Sequence, residues 1–125
     1  MTENYPTLKH IDFSAMTGTS LVIVGDKDLN PNFSDRLSYR WEAYTHSPAG
    51  NKTLLTLFGA ERMFGGISGY DAVETSDENP ERVAALRALV WAYLRTQLYP
   101  GDSAWDNAVA AFESNADPIG KVESK

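Results

Sequence analysis

The chain has 125 residues, a formal net charge of −6, and a composition that is 42% hydrophobic and 22% charged, which is typical of one globular domain. The acidic balance argues against a nucleic-acid partner, which needs a basic face, and no apolar run approaches the roughly 20 residues that cross a membrane. The absence of cysteine excludes disulfides and thiol catalysis. Together with the lack of a secretory signal pattern at the N-terminus, it predicts a cytoplasmic protein.

Two strands are predicted in the first half of the chain. The uninterrupted apolar run LVIV predicts a strand from about Ser20 to Val24, buried on both faces as in the middle of a parallel sheet. The apolar stretch within KTLLTLFG predicts a second strand from about Thr53 to Phe58. Between the two strands, apolar residues at near-helical spacing predict a short helix between about Asn32 and Tyr44.

The second half of the chain is predicted to be mostly helical. Asn79 is a good N-cap and is followed by proline, which predicts a long helix from Pro80 to Leu98. A shorter helix is predicted after Ser103, which is placed to cap it. The apolar face of the long helix is predicted to consist of Val83, Leu86, Val90, Leu94 and Leu98. The aromatic residues predicted to pack this helix onto the sheet are Trp91, Tyr93 and Tyr99.

The order of the predicted elements indicates an α/β protein. Strands that alternate with helices favour a sheet of parallel strands, although only two strands are evident in the sequence. The final segment, residues 115–125, has no clear periodicity and is predicted to be a flexible tail.

Three stretches of the sequence resemble one protein family in their residues and in their order. They are LVIVGDKD, LLTLFGAERMFGGISGYDAVET and DENPERVAALRALVWAYLRTQLYPGDSAW. Together they resemble the C-terminal part of α/β-hydrolase-fold enzymes, most nearly the bacterial esterases related to dienelactone hydrolases and chlorophyllases. The resemblance extends from about Ile11 to Phe112 and covers the back half of such an enzyme.

The resemblance implies a fold and an ancestry. Residues 1–114 would form the C-terminal portion of an α/β-hydrolase domain, with few parallel strands and a long C-terminal helix. The ancestral activity would be hydrolysis of a small carboxylic ester through an acyl-serine intermediate. No cofactor is implied by this chemistry.

The resemblance also implies two catalytic positions. The catalytic set of the fold runs in the chain order nucleophile, acid, base. The family's acid lies in a Gly-x-x-Asp pattern after a late strand, and Gly25–Asp28 matches it with Asp28 at the acid position. The family's base lies in Gly-Ala-Glu-His followed by Gly-Gly. Here Gly59–Arg62 matches that motif, with Arg62 where the histidine is expected.

Two departures from the family pattern predict that the chain is inactive by itself. The nucleophile elbow Gly-x-Ser-x-Gly does not occur in these 125 residues, since Ser68 is followed two positions later by Tyr70. The elbow needs glycines on both sides of the serine to form its strained turn. Arginine, moreover, stays protonated and cannot accept the serine proton as imidazole would, so Arg62 cannot replace the base.

Other interpretations of the same residues stay open. The chain could be a binding or assembly module that completes its sheet by dimerising or by docking on a partner, such as a complementary N-terminal half. It could also be an unrelated small enzyme that uses Asp26, Asp28 and Arg62 in acid–base chemistry. Arg62 alone could bind an anion, pair with Asp28 or be a surface charge, and Asp28 could simply cap backbone N–H groups.

No metal site is predicted. Asp26 and Asp28 form an Asp-x-Asp pair that could hold a hard cation, but no third acidic ligand is evident. The two histidines, His10 and His46, are far apart in sequence and lack the spacing of zinc ligands.

Overall fold

A computed structural model of the chain describes residues 12–29, 37–69 and 76–125. In chain order the elements are strand β1 (Ser20–Gly25), a 3₁₀ helix (Leu37–Trp41), helix α1 (Glu42–Thr45), strand β2 (Lys52–Leu57), helix α2 (Pro80–Leu98), helix α3 (Ala104–Glu113) and strand β3 (Gly120–Ser124). Both strands predicted in the first half are therefore confirmed, β1 with one added residue and β2 shifted by one residue. The predicted burial of β1 on both faces is wrong, since Ser20–Ile23 are only partly buried. Within the described ranges, no helix is long and apolar enough to span a membrane.

The three strands form one mixed sheet in the order β1–β2–β3. β1 and β2 are parallel, with Ile23 opposite Leu55, whereas β2 and β3 are antiparallel, with Leu55 opposite Val122. β2 is thus the central strand, and the outer edge of β1 has no strand partner in the part of the chain that the structure describes. The combination of a small sheet with helices makes the chain an α/β protein in the general sense.

β3 corrects the prediction that residues 115–125 form a flexible tail. A Cβ atom at Gly120 would lie 2.7 Å from Cζ of Phe112, so glycine is what allows the strand to pass this close to α3. The next residue after β3, Lys125, continues the ladder by accepting a hydrogen bond from the N–H of Lys52 at 3.2 Å. The local sequence shows no strand pattern because the pairing with β2, rather than intrinsic preference, forms this strand.

The connection between β1 and β2 confirms part of the helix predicted from Asn32 to Tyr44. The described portion consists of the 3₁₀ helix and α1, and residues 32–36 lie outside the described residues. At its end the N–H of His46 donates to the carbonyl of Glu42, at 2.8 Å. This short helical segment lies beside the strands and contacts both β1 and β2.

α2 has the predicted bounds, but a different face of it is buried. Asn79 caps the helix as predicted, since its side-chain oxygen accepts from the N–H of Arg82 at 3.0 Å. Leu94 and Leu98, which were predicted to lie on the apolar face, are 53% and 73% exposed. The buried residues of α2 are Arg82, Val83, Leu86, Leu89 and Ala92. The predicted face is therefore correct over the first half of the helix and wrong over the second.

The prediction that three aromatic residues pack α2 onto the sheet is wrong for two of them, and the ring contact of the third, Tyr93, is with α3. Tyr93 packs edge-to-face against Trp105 of α3, with ring centroids 5.4 Å apart. Trp91 and Tyr99 are instead exposed, and the guanidinium of Arg95 lies over both rings. These two rings therefore contact Arg95 at the surface of the protein and do not pack α2 onto the sheet.

The start of α3 differs from the prediction in its capping residue. The helix begins at Ala104, as expected from a cap at Ser103, but the Ser103 side chain makes no capping hydrogen bond. The carboxylate of Asp102 accepts from the N–H of Ala104 at 2.8 Å and also pairs with Arg95 of α2. Asp102 therefore ties the beginning of α3 to the end of α2.

The central strand β2 separates two layers of side chains. Leu55 and Leu57 are fully buried on the face covered by α2 and α3. Because side chains alternate along a strand, Leu54 and Thr56 face the other side, toward α1. The buried residues of the main cluster are Leu55, Leu57, Ala60, Leu86, Leu89 and Phe112. This packing fixes β2, and with it the loop that carries Arg62.

Candidate functional site

The candidate site lies where the parallel strands β1 and β2 end. Three hydrogen bonds tie the two loops that follow these strands. The N–H of Gly59 donates to Oδ1 of Asp26 at 2.7 Å, and the N–H of Lys27 donates to the carbonyl of Ala60 at 2.9 Å. The N–H of Asp26 donates in turn to the carbonyl of Leu57 at 3.2 Å. The Asp28 turn and the Arg62 turn therefore form one structural unit.

Gly25 allows this close approach of the two loops. A Cβ atom at this position would lie 2.3 Å from the carbonyl oxygen and 2.7 Å from the carbonyl carbon of Ala60. Both are backbone atoms, which cannot move away without displacing the loop. On the other side, Gly59 has φ +70°, a left-handed conformation that favours glycine. Steric constraints therefore favour glycine at both positions, 25 and 59.

Asp28 is held by Arg40, a residue that the sequence analysis missed. Nε of Arg40 lies 3.3 Å from Oδ2 of Asp28 and donates to the backbone carbonyl of Asp28 at 3.0 Å. Both side chains are mostly buried, at 13% exposure for Asp28 and 18% for Arg40. Nη2 of Arg40 is buried and has no hydrogen-bond partner among the described residues. No local motif marks Arg40, because it lies in the 3₁₀ helix, away from both turns.

Arg62 lies on the same edge of the sheet, but it is not the ion-pair partner of Asp28. It is exposed, and its positive charge acts on Asp28 at longer range. Burial raises the pKa of the Asp28 carboxyl above its ordinary value, while the charges of Arg40 and Arg62 oppose this rise and that of Glu61 adds to it. The structure thus brings the two sequence-predicted residues to one site, where the charge of Arg40 lowers the pKa of Asp28 more than that of Arg62 does.

Asp28 gives the chain a defined pH dependence of stability. Because burial raises its pKa in the folded chain above 3.8, the folded state holds this proton where the unfolded chain has already released it. The stability linked to this proton is fully present below the unfolded pKa and is lost as pH rises through the folded pKa. We expect the free energy of unfolding of the natural chain, relative to Asp28→Asn, to fall with rising pH in urea titrations between about pH 3 and 7. A difference that stays constant over this range would contradict the expectation.

A buried arginine braces the loop that carries Arg62. Nη1 of Arg82 donates to Oδ2 of Asp77 at 2.8 Å, and its Nη2 donates to the carbonyl of Phe58 at 3.0 Å. The same Oδ2 of Asp77 accepts from the N–H of Glu61 at 2.9 Å. The carboxylate of Glu61 in turn accepts from the hydroxyl of Ser76. This network connects the start of α2 to the loop after β2. The only hint of this network in the sequence is that Arg82 directly precedes Val83, a residue of the predicted apolar face.

The site offers carboxylates and guanidinium groups, but it does not hold the ligand set of a metal. Within the described ranges no group of three or more His, Cys, Asp or Glu side chains could bind a metal ion. Of the two histidines, His46 lies in the turn after α1, and His10 lies outside the described residues. The carboxylate of Asp28 can orient a proton-accepting group or bind a cation, and Arg62 can contact an anion.

The described residues thus place at one edge of the sheet a partly buried carboxylate paired with Arg40, an exposed arginine at position 62, and a loop braced by Arg82. The residues that complete its geometry, Arg40, Asp77 and Arg82, were not predicted from the sequence. The chain matches no protein-family model, no curated protein and no solved structure with which it was compared.

Proposed function

We propose that the chain is the C-terminal half of a cytoplasmic α/β-hydrolase-fold esterase and is inactive by itself. One observation carries this proposal: the loops after two parallel strands are hydrogen-bonded together and bring Asp28 and Arg62 to one edge of the sheet. In the α/β-hydrolase fold, the acid and the base follow the nucleophile in this chain order. The order of the matching motifs in the sequence supports the same assignment.

The proposed chemistry assigns a role to each end of the site. In such an enzyme, a serine attacks a small ester while a histidine takes its proton and a carboxylate orients the histidine. Asp28 supplies the carboxylate, and the serine and its oxyanion hole come from a separate N-terminal half. Arg62 blocks the cycle, because a guanidinium does not give up its proton in a protein and so cannot serve as general base.

The experiment supplies the serine from a separate N-terminal half and varies the residue at position 62. The natural chain, Arg62→His and Arg62→Gln are each mixed with the separately expressed N-terminal half of a related esterase that carries Gly-x-Ser-x-Gly. We expect hydrolysis of p-nitrophenyl acetate only in the mixture with Arg62→His. Loss of a triad member costs on the order of 10⁴ or more in kcat, so the difference between the mixtures is measurable.

Arg62→Gln is the matched control, since it removes the charge without supplying a base. Equal activity of the Arg62→Gln and Arg62→His mixtures would show that position 62 is not the base position. Saturable hydrolysis by the natural chain alone, abolished by Asp28→Ala, would overturn the proposal in favour of an independent small enzyme. Co-elution of the two halves in gel filtration shows whether each mixture has formed a complex.

A second candidate function is an assembly module without catalysis. The observation in its favour is the outer edge of β1, which has no strand partner among the described residues. Unpaired N–H and C=O groups on such an edge are a template for pairing with another chain. Self-association in light scattering, together with inactivity of every mixture, would favour this function over the esterase half.

A further inference from the structure

A cavity of about 370 Å³ lies on the α1 side of the sheet, opposite the main hydrophobic cluster. Its volume falls within the range of small-molecule sites. Its floor is formed by Leu54 and Thr56 of β2, both of which are buried. Three aromatic rings and three charged groups also line it: Trp41, Tyr44, Phe58, Asp26, Lys121 and Glu123.

The aromatic residues come from three different elements and meet at this cavity. Trp41 ends the 3₁₀ helix, Tyr44 belongs to α1, and Phe58 directly follows β2. The face of an aromatic ring carries negative electrostatic potential and attracts cations, most strongly in the case of tryptophan. Three rings around one cavity therefore favour a ligand that combines positive charge with apolar surface.

Tyr44 already binds one cation within the chain. Nζ of Lys125 lies 5.0 Å from the centroid of the Tyr44 ring. The same ammonium donates to the carbonyls of Thr45 and Ser47 at 3.0 and 2.7 Å, so it is held in place at the margin of α1. One ring of the lining thus already takes part in a cation–π contact within the chain, on the face that Lys125 covers.

The charged residues that line the cavity are two carboxylates and one ammonium, and the ammonium of Lys125 lies outside this lining, over the ring of Tyr44. Asp26 and Glu123 contribute two carboxylates, and Lys121 contributes one ammonium, which pairs with Glu123 at 3.1 Å. Oδ1 of Asp26 accepts from the N–H of Gly59, which fixes that carboxylate at the wall of the cavity. A bare metal ion does not fit this lining, since a hard cation needs six or more oxygen ligands.

We propose that this cavity binds a small organic cation of the quaternary ammonium class. The methyl groups of such a cation contact Trp41 and Phe58, and its charge faces Asp26 and Glu123. This ligand class unites the two properties of the lining, because its charge is spread over apolar methyl groups and is weakly hydrated. The inference does not depend on the proposed esterase ancestry, since none of these contacts involves Asp28 or Arg62.

Isothermal titration calorimetry with two ligands of the same shape tests the proposal. Choline is the cation, and 3,3-dimethylbutan-1-ol is its neutral counterpart. We expect saturable binding of choline to the natural chain and binding of the alcohol that is at least about tenfold weaker. Equal affinity for the two ligands, or no saturable binding of choline, would overturn the proposal.

Variants with opposite expected effects locate the site. Trp41→Leu should weaken choline binding about tenfold, whereas Trp91→Leu, at an exposed position of α2, should leave it unchanged. Glu123→Gln should also weaken binding, and Lys121→Gln should strengthen it by freeing Glu123. These two side chains are about half exposed, so their replacement tests the proposal even if Trp41→Leu fails to fold. Equal affinities of the Lys121→Gln and Glu123→Gln variants would contradict the site.

Discussion

Replacing Gly25 with alanine is expected to lower the free energy of unfolding by about 3 kcal/mol, at the upper end of the range for overpacking. The added methyl group would lie 2.3 Å from the carbonyl oxygen of Ala60, a distance that real Cβ atoms do not adopt. The chain relieves this contact by moving the loop after β2 away from β1. That movement weakens the hydrogen bonds that Lys27 and Gly59 make across the two loops.

Urea denaturation measures this effect, and Gly18→Ala is its matched control. A Cβ atom at Gly18 would have nothing within 4 Å, so alanine there should change stability by less than about 1 kcal/mol. Amide hydrogen exchange adds a local measurement. Faster exchange at Gly59 in the Gly25→Ala variant is expected, because its N–H donates to Asp26 across the displaced contact. Equal stability of the two alanine variants would show that the loops separate without cost.

Replacing Arg82 with methionine is expected to destabilise the chain by about 3–5 kcal/mol, the range for breaking one side of a buried ion pair. Methionine fills most of the same volume but leaves the carboxylate of Asp77 without its cation. It also leaves the carbonyl of Phe58 without its donor. The Arg82 side chain is only 9% exposed. The hydrogen bonds that connect the start of α2 to the loop with Arg62 are therefore lost.

Arg87→Met is the control for Arg82→Met, since Arg87 is exposed on the same helix. Its replacement should change the free energy of unfolding, measured by urea denaturation, by less than about 0.5 kcal/mol. The double variant Arg82→Met with Asp77→Asn should lose less than the sum of the two single losses, because it leaves no uncompensated charge. Equal midpoints for Arg82→Met and Arg87→Met would mean that the buried network contributes nothing to stability.

Elements with strong local signals could be predicted from the sequence. The apolar run of β1, and the pair Asn79 and Pro80 at the start of α2, each act within a few residues. β3 has no such signal, since the ladder of β2 forms it. The exposed face at the end of α2 could not be predicted from periodicity, because the residues covered there depend on α3. The segment with α3 contacts Tyr93 and Arg95, and Leu94 and Leu98 stay exposed.

The candidate site shows the same division between local and distant information. That Asp28 and Arg62 lie at one edge of the sheet could be predicted, because each belongs to a short stretch directly after a strand. Arg40 could not, because its contact with Asp28 depends on how the segment between β1 and β2 returns to the sheet. Arg82 lies on a helix face where a charge is unexpected, and its partner Asp77 becomes adjacent only when the loop after β2 folds back. Contacts of this kind follow from tertiary structure, which local patterns do not encode.

The position of β3 in the sheet also sets the order of events during synthesis. β2 pairs on one side with the strand that precedes it, and on the other with a strand about half the chain length later. While a ribosome is still adding α2 and α3, the parallel pair has emerged with one side of β2 unpaired. A nascent chain at this stage exposes backbone groups that invite pairing with other nascent chains. Pairing with β3 then removes this exposed edge of β2.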